Sequence, residues 1–284
     1  MVAAVDRCLA LIETLAQEAE GLSLGDIAAR LDMPKSATHR MLATLAAHGY
    51  VTQDPATQAY LLSLRLAVLA FRYLDARRLP DVAQTVLDRL ARDTAEYCRL
   101  AVVEGDGLIW VARAQGATRG LRYDPEMGHE VVLHATATGK AWLATLQEEE
   151  ALRIVFAQGF RAPPNAGKRV VRTVDELRTH LAETRRRGYA VAVEEGEAGT
   201  VAVAVTFRAW DSPEAPVAGT LSVAGPMVRL GRERREEIGA ALIAAAREVA
   251  ALWPLRQRQR HAARQEAGGS LAAAAPRAAG MGEL

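Results

Sequence analysis

The chain of 284 residues has few cysteines and no marked excess of charge of either sign. Cys8 and Cys98 are its two cysteines, and they lie far apart in the sequence. This pattern suits a reducing compartment and forms no redox or metal-binding motif, so we predict no metal and no cofactor. The sequence also lacks an apolar run long enough to span a bilayer, and its N-terminus lacks a signal-peptide pattern. We therefore expect a cytoplasmic protein with no membrane partner.

The balance of charge limits what one copy of the chain can bind. Lys and Arg number 35, and Asp and Glu number 34, which gives a formal net charge of +1. Residues 1–62 carry more carboxylates than basic side chains. This composition argues against tight non-specific binding of nucleic acid by one isolated copy of that region. A local basic face presented by a dimer would overcome the limitation.

Residues 23–60 have the pattern of a winged helix-turn-helix. Ser23 followed three residues later by Asp26 is a helix-start signature. Apolar residues then recur at helical spacing and predict a short first helix: Leu24, Ile27, Ala28 and Leu31. Pro34 is typical of the first turn of a helix, so a second helix should begin there. Its buried face would consist of Thr38, Met41, Leu42 and Leu45.

The exposed N-terminal end of this second helix is small and basic, as is typical of helices that enter the major groove of DNA. Gly49 ends the helix, and residues 50–62 form a hairpin that would be the wing. We predict DNA contacts by the following residues of the helix and of the hairpin turn: Lys35, Ser36, Ala37, His39, Arg40 and Gln58. The alternative, two packed helices and a hairpin of an ordinary α/β domain, stays open on these residues alone.

Length and composition favour two domains joined by a helix. We predict a winged helix-turn-helix domain over residues 1–63, a linker helix over 64–79, a second domain over 80–254 and a disordered basic tail over 255–284. The first domain should open with a helix whose inner face is formed by Val5, Cys8, Leu9, Ile12 and Leu15. The linker helix has apolar residues on more than one side, which also permits packing in a dimer. The tail is basic and has no apolar periodicity.

The second domain combines strand and helix patterns, so the fold class is α+β with a mixed or antiparallel sheet flanked by helices. Strands are predicted over residues 100–104, 108–112, 189–193, 201–207 and 217–223, with 201–207 apolar enough to be central. Helices are predicted over 81–97, 138–146 with Thr138 as the cap, from 148, over 173–188 and over 233–253. Residues 121–123 and 130–133 could add strands or the rim of a pocket.

Segments of both domains match one protein family in the expected order. Residues 34–45, PKSATHRMLATL, are followed by Gly49, Tyr50 and Val51, and residues 60–66 carry Ser63 where that family usually has Gly. Residues 133–141, LHATATGKA, form a second motif, and residues 187–190 and 218–226 add two more. Together these segments resemble the IclR family of bacterial transcription regulators. The resemblance covers roughly residues 4–253.

The resemblance implies a ligand-responsive regulator with a GAF-like effector domain after the DNA-binding domain. We expect a repressor of a catabolic operon that binds a pseudopalindromic operator through the helix at residues 34–48. The protein would act as a homodimer or a homotetramer built as a dimer of dimers. The effector would be a small organic metabolite, a carboxylate or an aromatic compound, and backbone N–H groups at the helix start within residues 134–139 favour an anion. By resemblance, the pocket contains Met127, His134, Ala135, Thr136, Gly139, Glu195 and Ala202.

The sequence departs from the family in the inferred pocket. Ala192 stands where the family often has Asp, and Ala202 where it commonly has Cys, while Glu194 and Glu195 are kept. Thr206 stands where Pro is common. Loss of the Asp and Cys side chains removes polar groups, so we expect a larger and drier cavity that takes a ligand with an apolar or aromatic body.

Two other functions are compatible with parts of the sequence. An enzyme with a GAF-like domain would use His134 and Glu195, with Lys140, for acid–base or acyl chemistry. The chain has no nucleophile motif such as G-x-S-x-G and no metal-ligand cluster, which argues against it. Taken alone, His134 is better explained as a structural histidine, and Lys140 could equally be a salt-bridge partner or a ligand contact. An architectural DNA-binding protein would leave the region after Pro80 without a role.

Overall fold

The computed structural model describes residues 2–77, 79–125, 131–210 and 212–273. The chain divides into two compact units, Met1–Ala76 and Arg77–Leu284. Each unit has its own buried apolar core. None of the helices in the described ranges combines the length and apolar character that a membrane span needs.

The first unit consists of helices and a short hairpin. Along the chain, the elements are α1 (Ala3–Ala16), α2 (Leu24–Arg30), α3 (Lys35–Ala47), β1 (Val51–Gln53), β2 (Tyr60–Leu62) and α4 (Arg65–Arg77). β1 and β2 pair antiparallel, with Thr52 opposite Leu61. The predicted helix-turn-helix with a wing is therefore confirmed.

Local signals place the ends of these helices. The Ser23 hydroxyl accepts a hydrogen bond from the backbone N–H of Asp26 and caps α2. Pro34 is the residue that precedes α3, which fits its inability to donate a hydrogen bond from its own nitrogen. Gly49 has φ +76° and directs the chain from α3 into the hairpin. These predicted boundaries are confirmed to within a residue.

α1 buries part of the predicted face. Cys8, Ile12 and Leu15 pack in the core as predicted, whereas Val5 and Leu9 are each 54% exposed. The prediction was wrong at Val5 and Leu9 and omitted Leu11, which is buried. The cause is that α1 carries apolar side chains on two faces, and only one of them meets the core formed with α2, α3 and the hairpin.

Ser63 gives the start of α4 a cap. Its hydroxyl accepts a hydrogen bond from the backbone N–H of Arg65 at 3.1 Å and donates one to the carbonyl of Gly49. A glycine at this position could make neither bond. The departure from the family pattern at residue 63 therefore ties the linker helix to the end of α3.

The second unit contains a sheet and its covering helices. The elements are α5 (Leu79–Thr94), β3 (Tyr97–Glu104), β4 (Gly107–Gln115), α6 (Ala137–Leu143), α7 (Glu148–Gln158), α8 (Val174–Arg187), β5 (Ala190–Val193), β6 (Thr200–Arg208), β7 (Val217–Pro226) and α9 (Arg232–Ala273). The strand order among the described residues is β4-β3-β7-β6-β5, and every neighbouring pair is antiparallel. The α+β class is confirmed. β7 is the middle strand of the five. β6, which contains residues 201–207 and was predicted to be central, is an interior strand that pairs with β7 and β5.

The two faces of the sheet differ in side-chain size, because successive residues of a strand point to opposite faces. On one face, Val203, Val205 and Phe207 are buried beneath α9, and the Phe207 ring lies 4.7 Å from that of Trp253. On the other face, alanines of β5 and β6 pack against alanines of α6: Ala137, Ala141, Ala190, Ala192 and Ala204. The small side chains bring α6 close to the sheet at one end and leave space beside it.

Two helix starts in this unit test the capping predictions. Thr173 and Glu176 form the predicted capping box of α8, and Gly188, with φ +80°, ends that helix. At α6 the prediction was wrong by two residues: the Thr136 hydroxyl accepts the bond from the Gly139 N–H at 3.0 Å, and Thr138 lies inside the helix. Both threonines fit the cap pattern, and the backbone bend at Thr136 decides between them.

α9 extends well beyond its predicted end. It runs through Pro254 to Ala273, so the predicted stop at Pro254 was wrong. Residues 255–273 are rich in Ala, Arg and Gln, which are good helix formers even where no apolar face is present. Apolar periodicity identifies helices that pack on a core, and it does not identify helices that lack such a face. The prediction of a disordered tail is not supported over 255–273, and residues 274–284 lie outside the described residues.

Candidate DNA-binding surface and ligand cavity

α3 presents its predicted DNA-contacting residues to solvent. Its inner face is anchored by Thr38, Leu42 and Leu45, all of which are buried. On the opposite side and near the N-terminus, Lys35, Ser36, His39 and Arg40 are exposed, and Ala37 is half-buried. The inner face therefore fixes a short helix whose basic residues point away from the core.

Gln58, the predicted contact in the wing, is exposed but already hydrogen-bonded. Its backbone adopts φ +59°, and its amide nitrogen donates to the carbonyl of Pro55 at 2.9 Å. Gln53 donates to both the backbone and side-chain oxygens of Gln58, at 3.1 and 3.2 Å. The carboxamide thus helps to shape the turn, and a contact with DNA would compete with these bonds.

A cavity of about 790 Å³ lies in the second unit, on the alanine-rich face of the sheet beside the start of α6. This volume is within the range of about 300–1,000 Å³ that is typical of small-molecule sites. Its walls come from the sheet, from residues 135–138 and from loops that include Tyr123 and residues 163–165. The alternation of β5, β6 and β7 places small side chains on its floor: Ala192, Ala202, Ser222 and Ala224.

The structure brings together some of the predicted ligand-binding residues. Ala135, Thr136, Glu195 and Ala202 line the cavity, and Met127 lies outside the described residues. His134 does not line it: its side chain is fully buried and stacks on Phe160, with the ring centroids 4.5 Å apart. Burial, and then the nearby charge of Lys140, lower the pKa of His134. His134 is therefore a neutral packing residue.

Gly139 also lies outside the cavity lining, and its small size has a packing reason. A Cβ atom at this position would lie 2.2 Å from the backbone oxygen of Leu133. The segment before α6 can therefore fold back against the helix only because residue 139 has no side chain. The family motif at residues 133–141 is in this respect a requirement of backbone packing.

Lys140 points into the interior and forms a buried ion pair with Glu195. Its Nζ lies 2.7 Å from both carboxylate oxygens, 2.8 Å from the carbonyl of Val191 and 2.9 Å from Nδ1 of His180. Glu195 also accepts the backbone N–H of Val193 at 3.2 Å. Burial lowers the pKa of Lys140 and raises that of Glu195, and the charge of each partner opposes the shift of the other. Of the two roles considered for Lys140, the structure supports the salt bridge.

His180 connects this pair to the outer part of α8. Burial, followed by the charge of Lys140, lowers its pKa from 6.5 to about 4. Unprotonated His180 can accept a hydrogen bond from Lys140 at Nδ1. Each of the three N–H groups of the ammonium then has an acceptor. A chain of contacts therefore runs from the cavity wall at Glu195, through Lys140, to a side chain that is partly exposed.

Arg99 is a cavity residue that the sequence patterns did not identify. It lies on β3, directly opposite Ser222 of β7, and both residues line the cavity. Its guanidinium carbon is 3.8 Å from the centroid of the Trp110 ring, and its buried Nε has no hydrogen-bond partner. Burial is the main cause that lowers the pKa of Arg99. The sequence did contain one indication of this position. Successive residues of a strand point to opposite faces of the sheet, and Cys98 and Leu100 are buried on the face opposite the cavity, so Arg99 points to the cavity side.

The two units have the features of one class of protein. One unit holds an exposed recognition-type helix with a hairpin wing, and the other has a cavity of ligand size. Among the described residues, no group of three or more His, Cys, Asp and Glu side chains could hold a metal ion. This combination is typical of transcription regulators that respond to a small molecule.

Comparison with known proteins gives the family. Residues 4–55 match the IclR helix-turn-helix domain, and residues 71–251 match the bacterial transcriptional regulator IclR C-terminal domain. The acetate operon repressor of Salmonella typhimurium is 30% identical over 249 residues, which cover 87% of this chain and 89% of that protein. The chain belongs to the IclR family of bacterial transcriptional regulators. It is accordingly a DNA-binding regulator with a small-molecule effector, and not an enzyme.

Solved structures of relatives have the same fold. The IclR transcriptional regulator from Alicyclobacillus acidocaldarius is 25% identical, with a TM-score of 0.74 over 89% of this chain and 99% of that chain. An IclR homolog from Microbacterium hydrocarbonoxydans, solved in complex with 4-hydroxybenzoate, is 24% identical, with a TM-score of 0.72 over 89% and 99% of the two chains.

Proposed function

We propose that this protein is a repressor of a catabolic operon that binds a pseudopalindromic operator through α3 and senses a small organic acid in the second unit. The observation that carries the proposal is the cavity of about 790 Å³, because a regulator without an effector has no need of a site of small-molecule size. The acetate operon repressor is a relative with a regulatory role of this kind. The protein would act in the cytoplasm, where its operator is.

In this proposal, the N-terminal end of α3 enters the major groove. Lys35, Ser36, Ala37, His39 and Arg40 would contact bases or phosphates there, and Gln58 would approach the backbone from the wing. Arg40 is the side chain with the geometry for paired hydrogen bonds to a guanine edge. We propose the following domains: residues 1–63 bind DNA, residues 64–79 form a linker helix, residues 80–254 bind the effector, and residues 255–284 form a basic tail.

Dimer formation would supply the two copies of α3 that a pseudopalindrome needs. The first unit keeps large apolar side chains exposed on α1 and α4: Val5, Leu9, Val68 and Leu69. Exposed apolar side chains grouped in this way are typical of a protein–protein contact. We propose a homodimer, or a dimer of dimers, in which these helices take part.

The ligand would be an acid with an apolar or aromatic body. Ala192 and Ala202 leave the cavity floor flat and mostly apolar, and the volume admits a ring with substituents. The relative from Microbacterium hydrocarbonoxydans has 4-hydroxybenzoate bound, a compound of this class. We propose the same general class for this chain.

Footprinting and electrophoretic-shift experiments on the DNA upstream of the gene for this chain test the proposed operator binding. Arg40→Ala should weaken operator binding by about 1–3 kcal/mol, with the loss concentrated at one base position of each half-site. Arg30→Ala is a matched control, because Arg30 is an exposed arginine of the same unit that pairs with Glu18 at 2.6 Å. Equal effects of the two variants, or none from Arg40→Ala, would refute the docking of α3.

A further inference from the structure

The charged groups that line the cavity differ in whether the protein neutralises them. Glu195 is paired with Lys140 at 2.7 Å, and Asp124 with Arg122 at 2.9 Å. Glu197 lies close enough to Tyr123 and Arg99 for its charge to raise the pKa of both groups. Arg99, by contrast, forms no ion pair with a carboxylate of the described residues, and its Nε is buried without a partner. Among the described residues that line the cavity, Arg99 is therefore the cation without a carboxylate at contact distance.

The aromatic surroundings of Arg99 hold its guanidinium in place. The group lies over the ring of Trp110 at 3.8 Å and near the ring of Tyr97 at 5.6 Å. Stacking of this kind fixes the plane of a guanidinium and keeps its N–H groups directed outward along that plane. An arginine that is already ordered loses little side-chain entropy when it binds a planar carboxylate in a bidentate manner.

We propose that Arg99 is the anion-binding residue of the cavity and that the effector is a monocarboxylic acid with its carboxylate against this guanidinium. The apolar body of the acid would extend across Ser222 towards Ala202 and Ala224 on the cavity floor. The proposal rests on the proposed function, since it names the residue that selects the ligand of that same cavity. Arg99 is thus a specificity-determining residue.

The start of α6 is the other place where an anion could bind, and it is less suitable. α6 has only seven residues, so its dipole is short. The N–H of Gly139 is already bonded to the Thr136 hydroxyl, and the N–H of Lys140 to the Thr136 carbonyl, each at 3.0 Å. The Glu195 carboxylate on the same wall is already paired with Lys140, so this wall has no free cation for a ligand carboxylate. The anion site therefore moves from residues 135–139, where the sequence suggested it, to β3.

Glu197 should have an effect on acid binding opposite to that of Arg99. Its negative charge raises the pKa of Arg99, and both residues line the cavity. Glu197 thus competes with a ligand carboxylate for the same cation. Removal of that charge in Glu197→Gln should strengthen acid binding, whereas removal of the Arg99 charge should weaken it.

The test compares acids with their neutral amides on the full-length chain. Benzoate with benzamide, 4-hydroxybenzoate with 4-hydroxybenzamide and hexanoate with hexanamide differ within each pair in charge and little in shape. Each compound is titrated by calorimetry and by the fluorescence of the protein's tryptophans, since Trp110 adjoins the proposed site. The proteins are wild type, Arg99→Gln, Arg99→Lys, Glu197→Gln and Arg113→Gln. Arg113 is exposed and lies opposite Arg99 on β4 but outside the cavity lining, so it controls for net charge.

We expect the wild type to prefer at least one acid over its amide by about ten- to a hundredfold, the range for a hydrogen-bonded charge pair. In Arg99→Gln the ratio of acid affinity to amide affinity should fall to about one, while the affinity for the amide stays within about twofold of the wild-type value. Arg99→Lys should keep part of it, Glu197→Gln should increase it, and Arg113→Gln should leave it unchanged. Circular dichroism of each variant establishes that the fold is retained. If Arg99→Gln does not fold, Arg99→Lys provides the test of the Arg99 side chain.

Three results would overturn the proposal. They are an unchanged acid preference in Arg99→Gln or Arg99→Lys, equal losses in Arg99→Gln and Arg113→Gln, or no binding of any acid of the panel to the wild type. None of these measurements involves DNA. Failure of the proposed regulatory function would appear separately, as wild-type protein that binds an acid but shows no operator binding that responds to it.

Discussion

Lys140 and Glu195 are 55 positions apart in the sequence, and the Lys140 Nζ lies 2.7 Å from both oxygens of the Glu195 carboxylate. Both side chains are buried, at 0% and 3% exposure. Lys140 belongs to the family motif before and within α6, while Glu195 follows β5 and lines the cavity. The pair therefore joins the helix that covers the sheet to the wall of the proposed ligand site.

Removal of one partner should be costly for stability. Glu195→Gln leaves the Lys140 ammonium buried without a counter-charge, so we expect a loss of about 3–5 kcal/mol in the free energy of unfolding of the second unit. The double variant Lys140→Met with Glu195→Leu should recover most of that loss, because no buried charge remains. Urea unfolding followed by circular dichroism measures both.

The matched control is Glu236→Gln, which breaks an exposed pair with Arg232 and should cost less than about 1 kcal/mol. A single-variant loss at Glu195 as small as that of the control would show that the buried pair contributes little. A double variant less stable than either single variant would contradict the account of an uncompensated charge.

His180 should make the second unit less stable in mild acid. Its pKa in the folded chain, about 4, lies below the ordinary value of 6.5, because burial and Lys140 disfavour the protonated ring, against the smaller effect of Glu183. The unfolded chain therefore takes up a proton first, and this contribution to stability is present above pH 6.5 and lost as pH falls to about 4. His180→Gln should flatten the dependence of the thermal midpoint on pH in this window.

The flattening should be incomplete, because burial lowers the pKa of His134 as well. His39→Gln, which changes an exposed histidine of the first unit, is the control and should leave the profile of the second unit unchanged. Parallel profiles for wild type and His180→Gln between pH 6.5 and 4 would refute the assignment.

The first unit should fold without the second. It has its own core, which includes Leu11, Ile27, Leu42 and Val51. We expect residues 1–76 to unfold cooperatively but to bind the operator more weakly than the full chain, because paired half-sites require two copies held at a fixed spacing. Analytical ultracentrifugation and DNA titrations of the fragment and of the full chain provide the comparison. A fragment that equals the full chain in operator affinity and footprint would contradict the prediction.

Filling the alanine-lined floor of the cavity should block the ligand. An acid that binds the wild-type fold should raise its thermal midpoint, since a ligand that binds the folded state alone stabilises it. Ala202→Phe places a ring in that space and should abolish the rise, whereas Ala202→Cys, which restores the common family residue, should retain it. If a small dicarboxylate stabilised the wild type more than any aromatic acid did, the interpretation of Ala192 and Ala202 would be wrong.

The elements that the sequence predicted well are those set by neighbouring residues. The Ser23 cap, the capping box of Thr173 and Glu176, and the turn at Gly49 each depend on interactions within a few positions. Strand and helix types in both units followed from periodicity in the same way. The class of the fold and the family motifs could therefore be recognised from the chain alone.

The parts that the sequence did not predict depend on contacts between distant residues. The side of α1 that is buried is decided by the other helices, and so Leu11 was missed while Val5 and Leu9 were included. Arg99 enters the cavity because β3 pairs with β7, a register that no local pattern contains. His134 and Gly139 belong to the family motif, but packing against Phe160 and Leu133 accounts for them.

The central claim is that one chain couples an acid in the second unit to DNA at α3, and the affinity for the operator with and without a bound acid tests it most directly. The full chain is titrated into fluorescently labelled operator DNA, and anisotropy is measured alone, with a saturating acid that raises the thermal midpoint, and with the matching amide. The account predicts that the acid changes operator affinity by about 5- to 150-fold, the usual range of such coupling, and that the amide does not. An acid that is bound at saturation and leaves operator affinity unchanged would contradict the account.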